Sequence, residues 1–200
     1  MQPKKLSQDI EVIFLDEYSI NDWLPKIDPR ILHIRNLAHK ADCLRALLLR
    51  EHGGFWLDPD AILLNILPLT TDKLVGFSES GDLSTLVKIG FLGAPANHPA
   101  ICEWVDSQAR SLGKQKFNWT ELGATKLTPA CASHSDKCHI LSDKLIEPIH
   151  WKHPHIFQED VQVEKIVTSE LLAIMLYFSR GEKFYRLNDN TLIKRLVERF

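Results

Sequence analysis

The chain has 200 residues, 44% hydrophobic and 25% charged, enough for one compact domain with a real core. Its formal net charge of −2 excludes the strongly basic footprint of a nucleic-acid binder, and no apolar stretch is long enough to span a bilayer. The opening MQPKKLSQDIEV lacks the apolar centre of a secretory signal, so the expectation is a cytoplasmic protein. Four scattered cysteines, Cys43, Cys102, Cys131 and Cys138, form no C-x-x-C pair and fit reduced thiols.

In chain order, Glu11 to Asp16 reads as a strand and Tyr18 to Leu24 as a short helix stopped by Pro25. Ala41 to His52 is the best-marked helix: Leu44, Leu47 and Leu48 recur at helical spacing, and Gly53-Gly54 end it. Short strands follow at Phe55 to Asp58, Ala61 to Leu67, Val75 to Ser78 and Leu86 to Leu92. Helices are predicted over Pro99 to Leu112 and Thr120 to Ala132, and short strands over Cys138 to Leu141 and Lys144 to Ile149. Helices over Ser169 to Ser179 and Asn190 to Phe200 close the chain. With no repeat or long linker, this order predicts a single α/β domain over 1–200, a mixed sheet flanked by helices.

The chemistry concentrates in HKADCLRALLLREHGGFWLDPDAI, His39 to Ile62. Asp42 and Arg45 are three apart and share a helix face. After the glycine turn a short strand delivers Asp58 and Asp60 at its end, where α/β sheets place ligand loops. Two carboxylates one residue apart, with Pro59 between them, suit a hard cation that keeps open positions for water and phosphate oxygens. An isolated D-x-D is common in surface turns, and a lone Asp–Arg pair is more often a solvated ion pair. The ordered combination D-x-x-R, helix, GG-x-W-x-D-x-D is more specific.

That segment resembles the DXD sugar-binding region, here 38–62, of retaining glycosyltransferases with the GT-A, Rossmann-like fold. These are the α-1,4-galactosyltransferase-like, initiation-mannosyltransferase-like and capsular-polysaccharide enzymes and, more distantly, the glucosylating toxins. Their A-H-x-S-D-x-x-R helix leads into GG-x-Y-x-D-x-D; Ala38, His39, Asp42, Arg45, Gly53, Gly54, Trp56, Asp58 and Asp60 stand at the matching places. The resemblance implies a hexosyltransferase that moves sugar from a UDP- or GDP-hexose to a glycan or other hydroxyl acceptor, as in polysaccharide biosynthesis. It implies donor binding by Asp42, Arg45, Gly53, Gly54, Trp56 and Asp58, and Mn²⁺ or Mg²⁺ binding by Asp58 and Asp60. It supplies no catalytic nucleophile.

Fainter likenesses follow. GFLGAPANHP is similar to the strand and loop beside the donor sugar, WTELGATKLT to a W-G-x-x-G-P-x-L-L-T stretch near the acceptor, and EPIHWKHPHIF to F-Y-P-I-x-W. Departures are also visible: Ile89 for asparagine, Ala124 for proline, Ala41 for serine, and Met175 for a late metal-binding histidine. The first nucleotide-binding strand of relatives, a sequence like I-P-K-I-I-H, has no counterpart here. A degenerate domain that binds nucleotide sugar, glycan or a partner without turnover is therefore the alternative, with a metal-dependent phosphohydrolase behind it.

His150 is the candidate replacement for the late metal ligand. With His153, His155, His139, Cys131 and Cys138 it matches no zinc template, and a hydrogen-bonded loop histidine is the plainer expectation. Trp56, Trp119 and Trp151 could stack on a sugar or base, whereas Trp23 and Trp104 read as core. The terminal helix carries Lys194, Arg195 and Arg199 on its polar side. That pattern allows a membrane surface, but a solvated helix face is the commoner outcome.

Overall fold

The computed structural model describes residues 11–16, 18–65, 72–114, 116–177 and 190–199. They fall into two compact units: one within 12–57 and 72–142, the other within 58–65, 143–177 and 190–199.

The larger unit is built around a mixed four-stranded sheet, β1 (Gly54–Leu57), β3 (Leu74–Ser78), β4 (Lys88–Ala94) and β5 (Cys138–Ser142), in the order β1-β4-β3-β5. β4 runs antiparallel to both neighbours, while β3 and β5 are parallel. Helices α1 (Ile20–Trp23), α2 (Pro29–Leu32), α3 (Leu37–His52), α4 (Pro99–Ala109) and α5 (Ala124–Ser133) complete the unit. Trp104, Leu74, Leu92, Ile101, Leu122 and Leu127 are fully buried in its core.

The α3 helix starts four residues before the predicted Ala41. Asn36 caps it, its side chain accepting from the backbone N–H groups of Ala38 and His39, so the helix begins where those donors are satisfied. Cys43, Ala46 and Leu49 are buried along with Leu47 and Leu48, so α3 lies within the core rather than on its surface. At its end Gly53 has φ 68°, and a Cβ there would stand 2.5 Å from the Ala96 nitrogen. Only glycine fits both the backbone angle and the space. On the next strand Phe55 pairs with Gly93, and its ring fills the space a side chain at 93 would need.

The smaller unit holds the antiparallel pair β2 (Ala61–Leu63) and β6 (Ala173–Met175), three short 3₁₀ turns and α6 (Leu192–Arg199). Its core gathers Phe157, Ile174, Leu192, Ile193 and Leu196. The α6 cations are engaged within the chain: Arg195 with Asp160, Arg199 with Glu164, and Lys194 with Glu198.

Three sequence expectations are corrected. Glu11 to Asp16 forms no strand; Phe14 is 82% exposed, and without a neighbouring strand the apolar alternation has nothing to pair with. Lys144 to Ile149 is not a strand either, because the chain turns in a 3₁₀ helix at Asp143–Leu145. The described part of the predicted Ser169 to Ser179 helix, 169–177, is not helical. Ala173–Met175 pairs with β2 instead, a short apolar run captured by strand pairing. Residues 66–71 and 178–189, including the ends predicted for the Ala61 strand and the Ser169 helix, lie outside the described residues, as does Phe200 of the last helix. Among the described residues no helix is long and apolar enough to cross a membrane.

Candidate functional site

Within the larger unit the polar centre is the Asp42–Arg45 pair. Neither is the solvated pair that spacing alone allows: Asp42 is 5% and Arg45 4% exposed. Arg45 Nη1 lies 3.7 Å from Asp42 Oδ1 and donates to the Ile89 carbonyl at 2.7 Å. The guanidinium carbon sits 5.0 Å from the Trp56 ring centroid, within cation–π range. Charge, carbonyl and indole together hold the arginine in one place, so it is a fixed positive group at the end of β1.

Asp42 is held from behind. The Gln108 side-chain amide donates to the Asp42 and Leu122 carbonyls, at 3.0 and 2.7 Å, and the Trp104 indole donates to Leu122 at 2.8 Å. In front stands Gly123, where a Cβ would come within 2.9 Å of Asp42 Oδ2 and 2.4 Å of Ile89 Cδ1. The absent side chain leaves the carboxylate a close backbone neighbour. Its charge also acts on Cys43, whose thiol is pushed up to about 12, first by burial and then by Asp42.

The departures from the resembled pattern read differently in three dimensions. Ala124 is the first residue of α5, where proline and alanine are both tolerated, so that change is structurally silent. Ile89 contributes its backbone carbonyl to Arg45, an acceptor any residue at that position would supply. Trp119 is 61% exposed, free of the core packing role. Trp104 is fully buried, as expected.

Asp58 and Asp60 belong to the smaller unit and follow Leu57 directly in the chain. Both are half-buried, on either side of the exposed Pro59. The Asp60 carbonyl accepts from Leu176 N–H at 2.8 Å, and the next residue, Ala61, pairs with Met175. Met175, which takes the place of the late histidine of the resembled pattern, thus lies across the ladder from the residue after Asp60. It is buried, at 5% exposure. Nearby, the Tyr177 phenol is held far above its usual range, by burial first, then by the Glu147 charge, with Asp143 and Asp60 adding to it.

His150 sits in a loop whose contacts are local. Its ring stacks on Trp151 at 5.3 Å, and its Nδ1 accepts from Lys152 N–H at 3.2 Å. His153 and His155 meet edge to face at 5.8 Å, and Lys152 lies over Trp151. Among the described residues no group of three or more His, Cys, Asp or Glu side chains is arranged to hold a metal ion. A nucleotide-dependent site would need fewer protein ligands, because phosphate oxygens and water complete the shell.

Two residues that matter here escaped the sequence reading. Gln108 could not be singled out, because its role is to bond two backbone carbonyls. Gly123 carried a signal in the Trp119-to-Thr128 stretch, but only the packing assigns it to Asp42.

No family model matches the chain, and no curated protein matches it. A solved structure, "PaToxG Glycosyltransferase", is similar over part of its length, with 20% identity and a TM-score of 0.44. The match covers 53% of this chain and 38% of that one, so the chain spans well under half of that structure.

Proposed function

We propose that this chain is a metal-dependent glycosyltransferase domain that binds a nucleotide hexose and passes the sugar, with retention, to a hydroxyl of a glycan acceptor. The observation that carries the reading is the buried Asp42–Arg45 pair fixed against Trp56 and Gly123. A buried ion pair is costly to desolvate and is weak evidence for stability, so its presence where Gly123 makes room for the carboxylate supports a ligand role. In this reading Asp42 accepts hydrogen bonds from sugar hydroxyls and Arg45 supplies fixed positive charge toward the donor. Gly53 and Gly54 set the strand that leads into Asp58 and Asp60.

Asp58 and Asp60 would hold Mn²⁺ or Mg²⁺ together with the diphosphate. Held there, such an ion would supply positive charge against the departing phosphate. No side chain is assigned as nucleophile; attack from the face of the leaving group lets the departing phosphate take the acceptor proton. Calorimetric titration with UDP- and GDP-hexoses, with and without Mn²⁺, tests the reading. Metal-dependent binding that disappears in Asp60→Ala is expected, and donor turnover that survives Asp60→Ala unchanged would sink it.

One observation favours a second reading, a domain that binds donor or glycan without turnover. The residue that pairs with Ala61, next in the chain after Asp60, is a buried methionine, and a thioether is a poor ligand for hard cations. Donor binding with neither hydrolysis nor transfer selects this alternative. Measurable turnover removes it.

A further inference from the structure

Two of the four cysteines meet beyond the end of α5. Cys131 lies in the last turn of that helix and is fully buried. Cys138 opens β5, the outermost strand of the sheet on that side, and is only half-buried. Between them the chain makes a 3₁₀ turn at Ser135–Lys137. It is held by His134 N–H donating to the Cys131 carbonyl at 3.2 Å and Lys137 N–H to the His134 carbonyl at 2.9 Å. Pairing with Leu74 fixes Cys138 in register, and its side chain packs on the core cluster that contains Cys131. The two thiols hydrogen-bond to each other.

A buried cysteine on its own is an inert, small apolar residue. This pair differs because one member reaches the surface and the other donates to it. The bond from Cys131 lowers the Cys138 thiol, with Lys73 assisting, against burial and the Asp136 charge. Cys131 is held far above its usual range, by the same bond first and then by burial. Cys138 therefore ionises first and is the accessible nucleophile, with a second thiol in contact behind it. Sulfurs already in contact need only close to about 2.0 Å to become a disulfide.

We propose that Cys131 and Cys138 form a redox-active dithiol that low-molecular-weight disulfides convert to an intramolecular disulfide. The Cys138 thiolate attacks one sulfur of the small disulfide, whose S–S bond breaks, and one small thiolate leaves with the electron pair. The Cys131 sulfur then attacks the Cys138 sulfur of the mixed disulfide, and the second small thiolate leaves. Each departing thiolate takes up one of the two protein protons. Two protein thiols are thus oxidised and one small disulfide is reduced to two thiols. The site uses none of the residues assigned to the donor or the metal.

The test is peptide mapping of the folded full chain after incubation with oxidised glutathione, with free thiols blocked at acid pH before digestion. Trypsin cuts after Lys137, between the two cysteines, so a disulfide joins peptides 127–137 and 138–144 and a dithiol leaves them apart. The joined pair is expected as the main product, forming at least about tenfold faster than glutathione adds to Cys43. Cys131→Ala should stop at the mixed disulfide on Cys138, and Cys138→Ser should leave the buried Cys131 unmodified. If Cys131→Ala does not fold, the map of the unaltered chain decides by itself. The proposal is overturned if that chain stops at the mixed disulfide, or if the peptides join only once it is unfolded. It is equally overturned if Cys138 reacts no faster than Cys43, if Cys131 is modified in folded Cys138→Ser, or if the disulfide formed takes in Cys102 instead.

Discussion

The two acidic centres of this chain are held in opposite ways. Asp42 stands on a sixteen-residue helix inside the core, with Arg45 beside it, Gln108 behind and Gly123 in front. Asp58 and Asp60 flank an exposed proline just before a three-residue strand, in a unit whose described strands are two of three residues each. A carboxylate on a packed helix is aimed by the fold. One on a short connection can adjust to an incoming ion and its phosphate ligands. Under the proposed function, sugar recognition calls for the first and metal coordination tolerates the second.

The comparison is sharpest in stability. Arg45→Met leaves a buried carboxylate without its charge partner and is expected to cost about 3–5 kcal/mol. Asp60→Asn, on a half-exposed turn, should cost about 1 kcal/mol or less. Equal losses by denaturant unfolding would break the contrast. Next come the glycines that join helix to strand. Gly53→Ala meets backbone at 2.5 Å with φ at 68° and should cost about 3 kcal/mol. Gly54→Ala, with φ at 91° but open space around it, should cost about 1–2 kcal/mol.

Gly123→Ala falls in the same range, about 1–2 kcal/mol, because the Ile89 side-chain tip can move even though Asp42 cannot easily do so. Under the functional reading it should weaken donor binding by more than its stability loss explains, which calorimetry on the folded variant would check. The last effect is negligible at neutral pH and grows only in alkaline solution. Cys43 ionises near 9 when unfolded and only at about 12 when folded. The unfolded chain therefore releases a proton that the folded one keeps, and stability falls as pH rises from 9 towards 12. Native Cys43 should also resist alkylation at pH 8.5 while the unfolded chain reacts. Rapid native labelling at Cys43 would contradict the packing described for α3.

Much of the Asp42 region was legible in sequence, because helix spacing, the glycine pair and the aromatic strand are strong local signals. The helix start was harder: Asn36 had to be recognised as a cap ahead of polar residues. In the smaller unit the signals conflict. The run from Leu171 to Leu176 is apolar throughout and fits a buried helix or a strand equally well; pairing with Ala61–Leu63 decided it. The Ile89 carbonyl and the Gln108 bridge were invisible for a different reason, since their partners are backbone atoms common to every residue. Spacing found the Asp–Arg pair, and only packing distinguished a buried pair from a solvated one.

The join at the end of α3 has a practical side. Gly53 lies against Ala96, and Asn97, itself at φ 57°, donates its N–H to the Arg50 carbonyl at 2.8 Å. The loop after β4 thus acts as a rivet on the helix terminus. Loops are usually the safe places for a tag, a nick or a permuted terminus, but this one is tied by its own backbone. A peptide spliced in at Ala96 would loosen the same helix that carries Asp42 and Arg45, so labels and fusion points belong elsewhere.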